Sequence, residues 1–312
     1  MENNYAIIAD RSCDLSEDLI SRFGIDGRMK GYMTTPEADD VVCSYNMDEK
    51  EIDAFYSSLK ANKNKYSTSS PSVEDTVLCL EPFLQQGKDI IVVCMSGGLS
   101  STYNVVLSAQ KKVLEKYPER KIFAIDSRKY STGIGLLAVK ACQLRADGIS
   151  VEENAKMLEK IKATLHHMGT VDDLFWVASK GRISHSKAFF GTIAGIKSLG
   201  DFGPEGMITP LAKISGYKKA HKAVVEYIKK TIKNADEQII LIAQSVRREQ
   251  TGILAALIKE QIKPKEVIIS DIYPMTGINV GPGLIAAFYF GTEMTDLSYE
   301  KEVMNDIISN KL

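Results

Sequence analysis

The chain has 312 residues, enough for two hydrophobic cores, and its 44% hydrophobic and 25% charged residues are an ordinary globular balance. A formal net charge of −1 leaves no broad basic field for a nucleic-acid backbone, so no nucleic-acid partner is expected. The five cysteines, Cys13, Cys43, Cys79, Cys94 and Cys142, form no CxxC pair, and His166, His167, His185 and His221 show no metal-ligand spacing, which argues against disulfides, a metal or a cofactor and for a reducing, cytoplasmic setting.

In chain order, MENNYAIIADRS lacks the basic n-region and long apolar run of a signal peptide. No apolar stretch approaches the ~20 residues of a membrane span, so no stable membrane insertion is expected. An apolar run at 5–9 predicts a buried strand, and 16–23 a helix with Ser16 as N-cap. Mixed polarity over 25–50 predicts loop with at most one edge strand, and 49–59 a helix. Pro71 suits a first helical turn, so Ser70 is expected to cap a helix over 71–86. Strands are predicted at 89–95 and 121–125, and helices at 103–117 and 133–146. This alternation predicts a parallel sheet with helices on both faces, whose ligand edge lies beyond the strands' carboxyl ends. Residues 10–14, 96–102 and 126–130 fall at that edge.

Ser150-Val-Glu-Glu153 reads as a capping box opening a bridging helix over 151–168, with an apolar stripe that includes Leu165 and Met168. Beyond it come a predicted strand at 174–178, a loop at 179–184 and a mixed Gly-rich stretch at 191–216. A helix at 217–233, strands at 238–243 and 266–273 around a helix at 247–261, and a last strand at 284–290 complete a second alternating unit. The expected architecture is a three-layer α/β/α domain over 1–160 that holds the ligand, followed by an α/β domain over 161–312.

Two hydroxyl-rich segments carry the chemistry. MSGGLSSTY (95–103) places Ser96, Gly97, Gly98, Ser100 and Thr102 between a strand and a helix. Glycines admit a close ligand and the helix N-terminus favours an anion; the competing reading is a capped turn. It is no phosphate loop, because GxxxxGK[ST] is absent. STSSPS (67–72) reads equally as a ligand segment through Thr68 and Ser69 or as a helix cap. SKGRIS (179–184) offers Lys180 and Arg182, suited to a carboxylate or phosphate or to a solvated turn. NVGPGL (279–284) is a rigid loop or a plain turn. DRSCDL (10–15) carries Asp10 and Asp14, paired acids or a loop network, with Cys13 between them.

Taken together these segments resemble the DegV family over most of the chain. ADRSCDL, TSSPS, MSGGLSSTY, AIDS (124–127), VDDL…KGRIS and GPG (281–283) stand in the family's order. The resemblance implies two α/β domains and one long-chain fatty acid, its tail in a tunnel inside the first domain. It places the carboxylate among hydroxyls near the domain junction and nominates Thr68, Ser69, Ser96, Gly97, Gly98, Ser100, Thr102, Ser127, Arg182 and Asn279 as ligand-binding residues. It also implies a non-catalytic subunit that presents the carboxylate to a separate fatty-acid kinase. The sequence departs from the family pattern at Arg11, Ser70, Gly97, Ser101 and Asn279, the last standing where members carry His. The alternative is a small-molecule transferase or hydrolase on the same fold, using Asp10, Asp14 or Arg182.

Overall fold

The computed structural model describes residues 5–183 and 195–312. The end of SKGRIS at Ser184, His185 and the start of the Gly-rich stretch lie outside them.

The first unit opens with β1 (Tyr5–Ala9), entirely apolar and entirely buried. Ser16 caps α1 (Glu17–Phe23) by accepting the Leu19 N–H. Three short strands follow, β2 (Gly27–Arg28), β3 (Tyr32–Thr34) and β4 (Val41–Val42), where the sequence suggested one at most. Runs of two or three residues are too short to show a period-2 pattern. Next come α2 (Glu49–Ala61), closed by an Asp48/Glu51 capping box, β5 (Ser67–Ser69) and α3 (Val73–Gln85). The cap of α3 is Ser72, not Ser70, because the Ser72 hydroxyl accepts the Asp75 N–H. Then follow β6 (Asp89–Cys94), α4 (Thr102–Leu114), β7 (Ile122–Asp126), α5 (Thr132–Ala146) and α6 (Val151–Ile161).

The bridging helix stops seven residues short of its predicted end. Leu165 and Met168 belong instead to β8 (Leu165–Val171), every residue of which is buried. The apolar residues of 165–171 fit a helical stripe and a buried strand alike, and sheet pairing decides between them. The strand expected at 174–178 is α7 (Leu174–Ser179), nucleated by Asp173, whose carboxylate accepts the Trp176 N–H. The hairpin β9 (Ile196–Phe202) and β10 (Ile208–Ser215) occupies the Gly-rich stretch. The chain ends with α8 (Tyr217–Thr231), β11 (Ile239–Gln244), α9 (Arg248–Gln261), β12 (Glu266–Asp271), α10 (Pro274–Val280), β13 (Leu284–Phe290) and α11 (Ser298–Lys311). No helix among the described residues is long and apolar enough to cross a membrane.

Three sheets organise these elements. The first is parallel in the order β2-β1-β6-β7, and the second is mixed, β10-β9-β8-β13-β11-β12. The third is a small antiparallel sheet, β4-β3-β5. The pleat of β1 and β6 sends Ile7, Ala9, Ile91 and Val93 to one core, and Ala6, Ile8, Ile90 and Val92 to another beneath α3 and α4. Helix α5 is apolar almost all round and lies in the core it shares with both large sheets, packing against β1, β11 and β13. Gly133 on this helix lets it approach β13, since a Cβ there would sit 2.7 Å from the Phe288 ring. The two units are therefore welded along α5, and the loop after β6 meets the 203–206 loop between β9 and β10.

Candidate functional site

The small sheet is the local device that brings one hydroxyl segment to the junction. Pairing of Tyr32 with Ser69 and of Met33 with Thr68 straightens residues 67–69. A core of Ile52, Tyr56, Leu59 and Tyr66 with Trp176, Tyr273 and Ile278 locks this sheet and α2 onto α7 and α10. The Trp176 indole donates to the Ile278 carbonyl at 3.0 Å, and the Tyr56 hydroxyl to that of Ile272 at 2.9 Å. Thr68 thereby faces Asn279, whose amide donates to the Thr68 hydroxyl at 3.0 Å and to the Met275 carbonyl at 3.2 Å.

The second segment leaves β6 and folds back against Ser70. The Ser70 hydroxyl lies 3.1 Å from that of Ser100, 3.0 Å from Ser101 and 3.1 Å from Thr102, and Ser100 lies 2.9 Å from Thr102. Each hydroxyl has one proton and two lone pairs and rotates freely. These groups bond to one another, yet can turn several O–H donors toward an incoming anion.

They form one wall of a cavity of about 310 Å³, within the range of small-molecule sites. Thr68, Ser69, Ser70, Ser100, Ser101, Thr276 and Asn279 supply its polar lining. Met95, Leu99, Tyr130, Ile208, Met275 and Val280 supply most of the rest. Arg182 is the one cationic residue in the described lining. Its Nε donates to the Leu99 carbonyl at 3.2 Å and an Nη to Lys180 O, so the side chain is tied at the wall. Lys180 donates to the Tyr66 carbonyl at 3.0 Å, and burial, then Lys63 and Arg182, lower its pKa. The cavity draws on segments from both units and lies at their junction.

Five nominated residues, Ser96, Gly97, Gly98, Thr102 and Ser127, do not line the cavity. Ser96 is fully buried and donates to the Gly206 carbonyl at 2.7 Å. The loops at 96–98 and 203–206 interlock so closely that a Cβ on Gly98 would lie 2.5 Å from the Glu205 carbonyl, and one on Gly206 2.0 Å from the Ser96 hydroxyl. The Gly97 N–H is spent on Asp126 at 3.2 Å. Ser127 is buried and exchanges bonds with the Lys129 backbone. Thr102 stands behind the wall, supporting Ser70 and Ser100. Thr68, Ser69, Ser100, Arg182 and Asn279 do line the cavity. Ser70 and Ser101, singled out only as departures, are at its polar wall, and their place in the two hydroxyl clusters was the available signal. Tyr130 falls at the ligand edge expected for 126–130, whereas Ile208 and Met275 had no signal.

The carboxylates of DRSCDL are committed to the scaffold. Asp10 accepts the N–H groups of Met95 and Ser12, each at 3.0 Å, and the Ser12 hydroxyl at 2.7 Å. Asp14 is buried and accepts the Tyr273 N–H at 3.1 Å. Burial pushes its pKa up to about 7, partly offset by Ser131, Thr276 and that N–H. Burial also pushes the Cys13 thiol up to about 12, far from a reactive thiolate. No group of three or more His, Cys, Asp or Glu among the described residues could hold a metal ion.

Fold and cavity thus define a two-unit α/β protein with a ligand-sized space at the junction. The chain belongs to the DegV family: the model of the family described as "Uncharacterised protein, DegV family" matches residues 4–292. A DegV domain-containing protein of Clostridium perfringens is 32% identical over 289 residues, 92% of this chain and 97% of the relative. Among solved structures, the fold is similar to a DegV family protein of Ruminococcus gnavus refined with vaccenic acid, at TM-score 0.81 and 22% identity, covering 91% of this chain and 99% of that one. It is also similar to DegV of Bacillus subtilis, described as a fatty acid binding protein, at TM-score 0.77, 24% identity and coverage of 93% and 99%. The Streptococcus pneumoniae Fatty Acid Kinase (Fak) B3 protein, loaded with linoleic acid, aligns at TM-score 0.78 and 21% identity over 93% of this chain and 100% of that one.

Proposed function

We propose that this protein binds one long-chain fatty acid, with the carboxylate at the Ser70–Ser100–Ser101 wall and the tail directed inward past Tyr130 and Ile208. The observation that carries this reading is the division of the cavity into a hydroxyl wall and an apolar remainder. Each buried methylene contributes about 0.8 kcal/mol, so the tail supplies most of the affinity. A carboxylate taken from water needs several donors, and rotatable hydroxyls with the Asn279 amide provide them. Arg182 supplies the balancing positive charge at the rim.

The same geometry supports presentation to a separate kinase. Ser69 and Ser101 are exposed while Leu99 and Tyr130 are buried, so the hydroxyl end is the open end. A carboxylate held there is within reach of a partner protein, and the carrier itself needs no catalytic group. The fatty-acid ligands of the solved relatives and the kinase name of one of them favour this assignment.

The test is organic extraction of the purified protein followed by mass spectrometry, with titration of oleate into the delipidated protein. A co-purified acyl chain, or saturable oleate binding, is the expected result. A tightly bound nucleotide with no oleate binding would overturn it. Incubation with ATP and oleate alone should give no acyl phosphate; turnover that a substitution in this chain abolishes would restore the transferase reading.

A further inference from the structure

The wall beyond the hydroxyls is not purely apolar. Tyr130 and Ile208 border both the main cavity and a narrow passage of about 20 Å³ that continues between α7 and the face of β8 and β9. In this passage, which Thr170 and Ser198 also border, the Tyr130 hydroxyl lies 2.9 Å from His167 Nε2. Tyr130 stacks on Phe202 and meets Phe288 edge-on, and the same two rings flank His167. Both polar side chains are more than nine-tenths buried. An acyl tail entering by Tyr130 runs directly against them.

Burial lowers the His167 pKa to about 4, so the ring is neutral at neutral pH and carries one N–H and one bare nitrogen. Nδ1 has no hydrogen-bond partner, and either tautomer closes the 2.9 Å contact, the phenol donating to a bare Nε2 or accepting from Nε2–H. In both cases the Tyr130 hydroxyl keeps one position that His167 does not use, a lone pair in the first and its proton in the second. A plain hydrocarbon chain cannot use that position; an alcohol, which both donates and accepts, can in either tautomer.

We propose that the tail path is specific for an acyl chain bearing a hydroxyl group, which hydrogen-bonds the Tyr130 hydroxyl. This rests on the fatty-acid reading above and adds the chemical class of the tail. A hydrogen bond in this setting gives about a fivefold preference over the unsubstituted chain.

The experiment is displacement of a fluorescent fatty acid from the delipidated full-length protein by octadecanoic acid, a positional series of monohydroxyoctadecanoic acids and the matching oxo acids. At least one hydroxy isomer should outcompete octadecanoic acid by about fivefold, and its oxo counterpart should not exceed it. Tyr130→Phe, which keeps the ring, should level the hydroxy isomer with octadecanoic acid. His167→Gln, which keeps an acceptor near the phenol, should retain a preference. An advantage that survives Tyr130→Phe, or a series in which no isomer exceeds octadecanoic acid, would overturn the proposal while the fatty-acid reading stood. Failure of octadecanoic acid itself to displace the probe would overturn both.

Discussion

A polar cluster inside the second unit and another at the cavity differ in how fully they are satisfied. Asp201 accepts from His166 Nδ1 at 2.8 Å, the Tyr227 hydroxyl at 3.0 Å, and the N–H groups of His167 and Phe202 at 2.8 and 2.7 Å. Burial alone would raise its pKa, but His166, Lys129 and His167 outweigh it and hold the carboxyl below the usual range. Around Ser70 the hydroxyls bond mainly to one another, with the Thr102 N–H donating to Ser100, and keep rotatable donors at an open wall. The closed cluster spends its hydrogen bonds on the fold; the open one holds them for a ligand. Mutations in the first should therefore cost stability, and mutations in the second affinity.

The largest expected effect is at Asp201. Asp201→Ala leaves His166, Tyr227 and two buried N–H groups without their acceptor and should cost about 3–5 kcal/mol in urea denaturation. A loss below ~1 kcal/mol would erase the distinction between the clusters. The sign of the pH dependence follows from the depressed carboxyl. Its stabilisation is present above the unfolded value of about 3.9 and is lost as pH falls through the lower folded value. Asp201→Asn should lack that acid-side loss.

Asp14 sharpens the comparison because its burial is only partly compensated. Its folded pKa of about 7 lies above the unfolded value, so its contribution is complete in acid and is lost as pH rises toward about 7. Asp14→Asn keeps an oxygen for the Tyr273 N–H. It should gain about 2 kcal/mol on the wild type between about pH 5 and pH 8. Parallel stability curves for the two proteins would show that Asp14 does not titrate as a buried acid.

At the open wall the readout changes. Ser70→Ala should weaken oleate binding about tenfold while shifting stability by less than ~1 kcal/mol. Equal losses of stability and affinity would mean the wall is structural after all. The smallest effect is expected from Asn279→His. An imidazole beside a carboxylate gains a proton near neutral pH, so oleate should bind about threefold tighter near pH 6 than near pH 8 in the variant. The wild-type amide cannot ionise, and its profile should lack this component. Identical profiles would place Asn279 away from the headgroup.

Much of the fold was legible because long apolar runs leave few choices. YAIIA, DIIVVC and LIAAFYF can only be buried strands or core helices, and their flanking Asp, Gly and Pro residues resolve which. The order of the motifs placed Thr68, Ser69, Ser100, Arg182 and Asn279 in one region. LFWVA reads as a strand from its sequence, but five apolar residues fit either period and a single capping carboxylate from Asp173 tips them into α7.

What the sequence by itself determined was composition along the chain: which segments must be buried, and which carry hydroxyls between a strand and a helix. What only the tertiary structure decided was the direction each hydroxyl faces. Ser96 and Ser100 lie four residues apart on one loop, yet the first is consumed by the Gly206 carbonyl and the second reaches the cavity. That outcome depends on the 203–206 loop, more than a hundred residues away. Tyr130, Ile208 and Met275 likewise meet only because α5, the second sheet and α10 converge. A local pattern carries the energy of burial, but a cavity is a space left between elements, and its walls are set by long-range packing that no local pattern records.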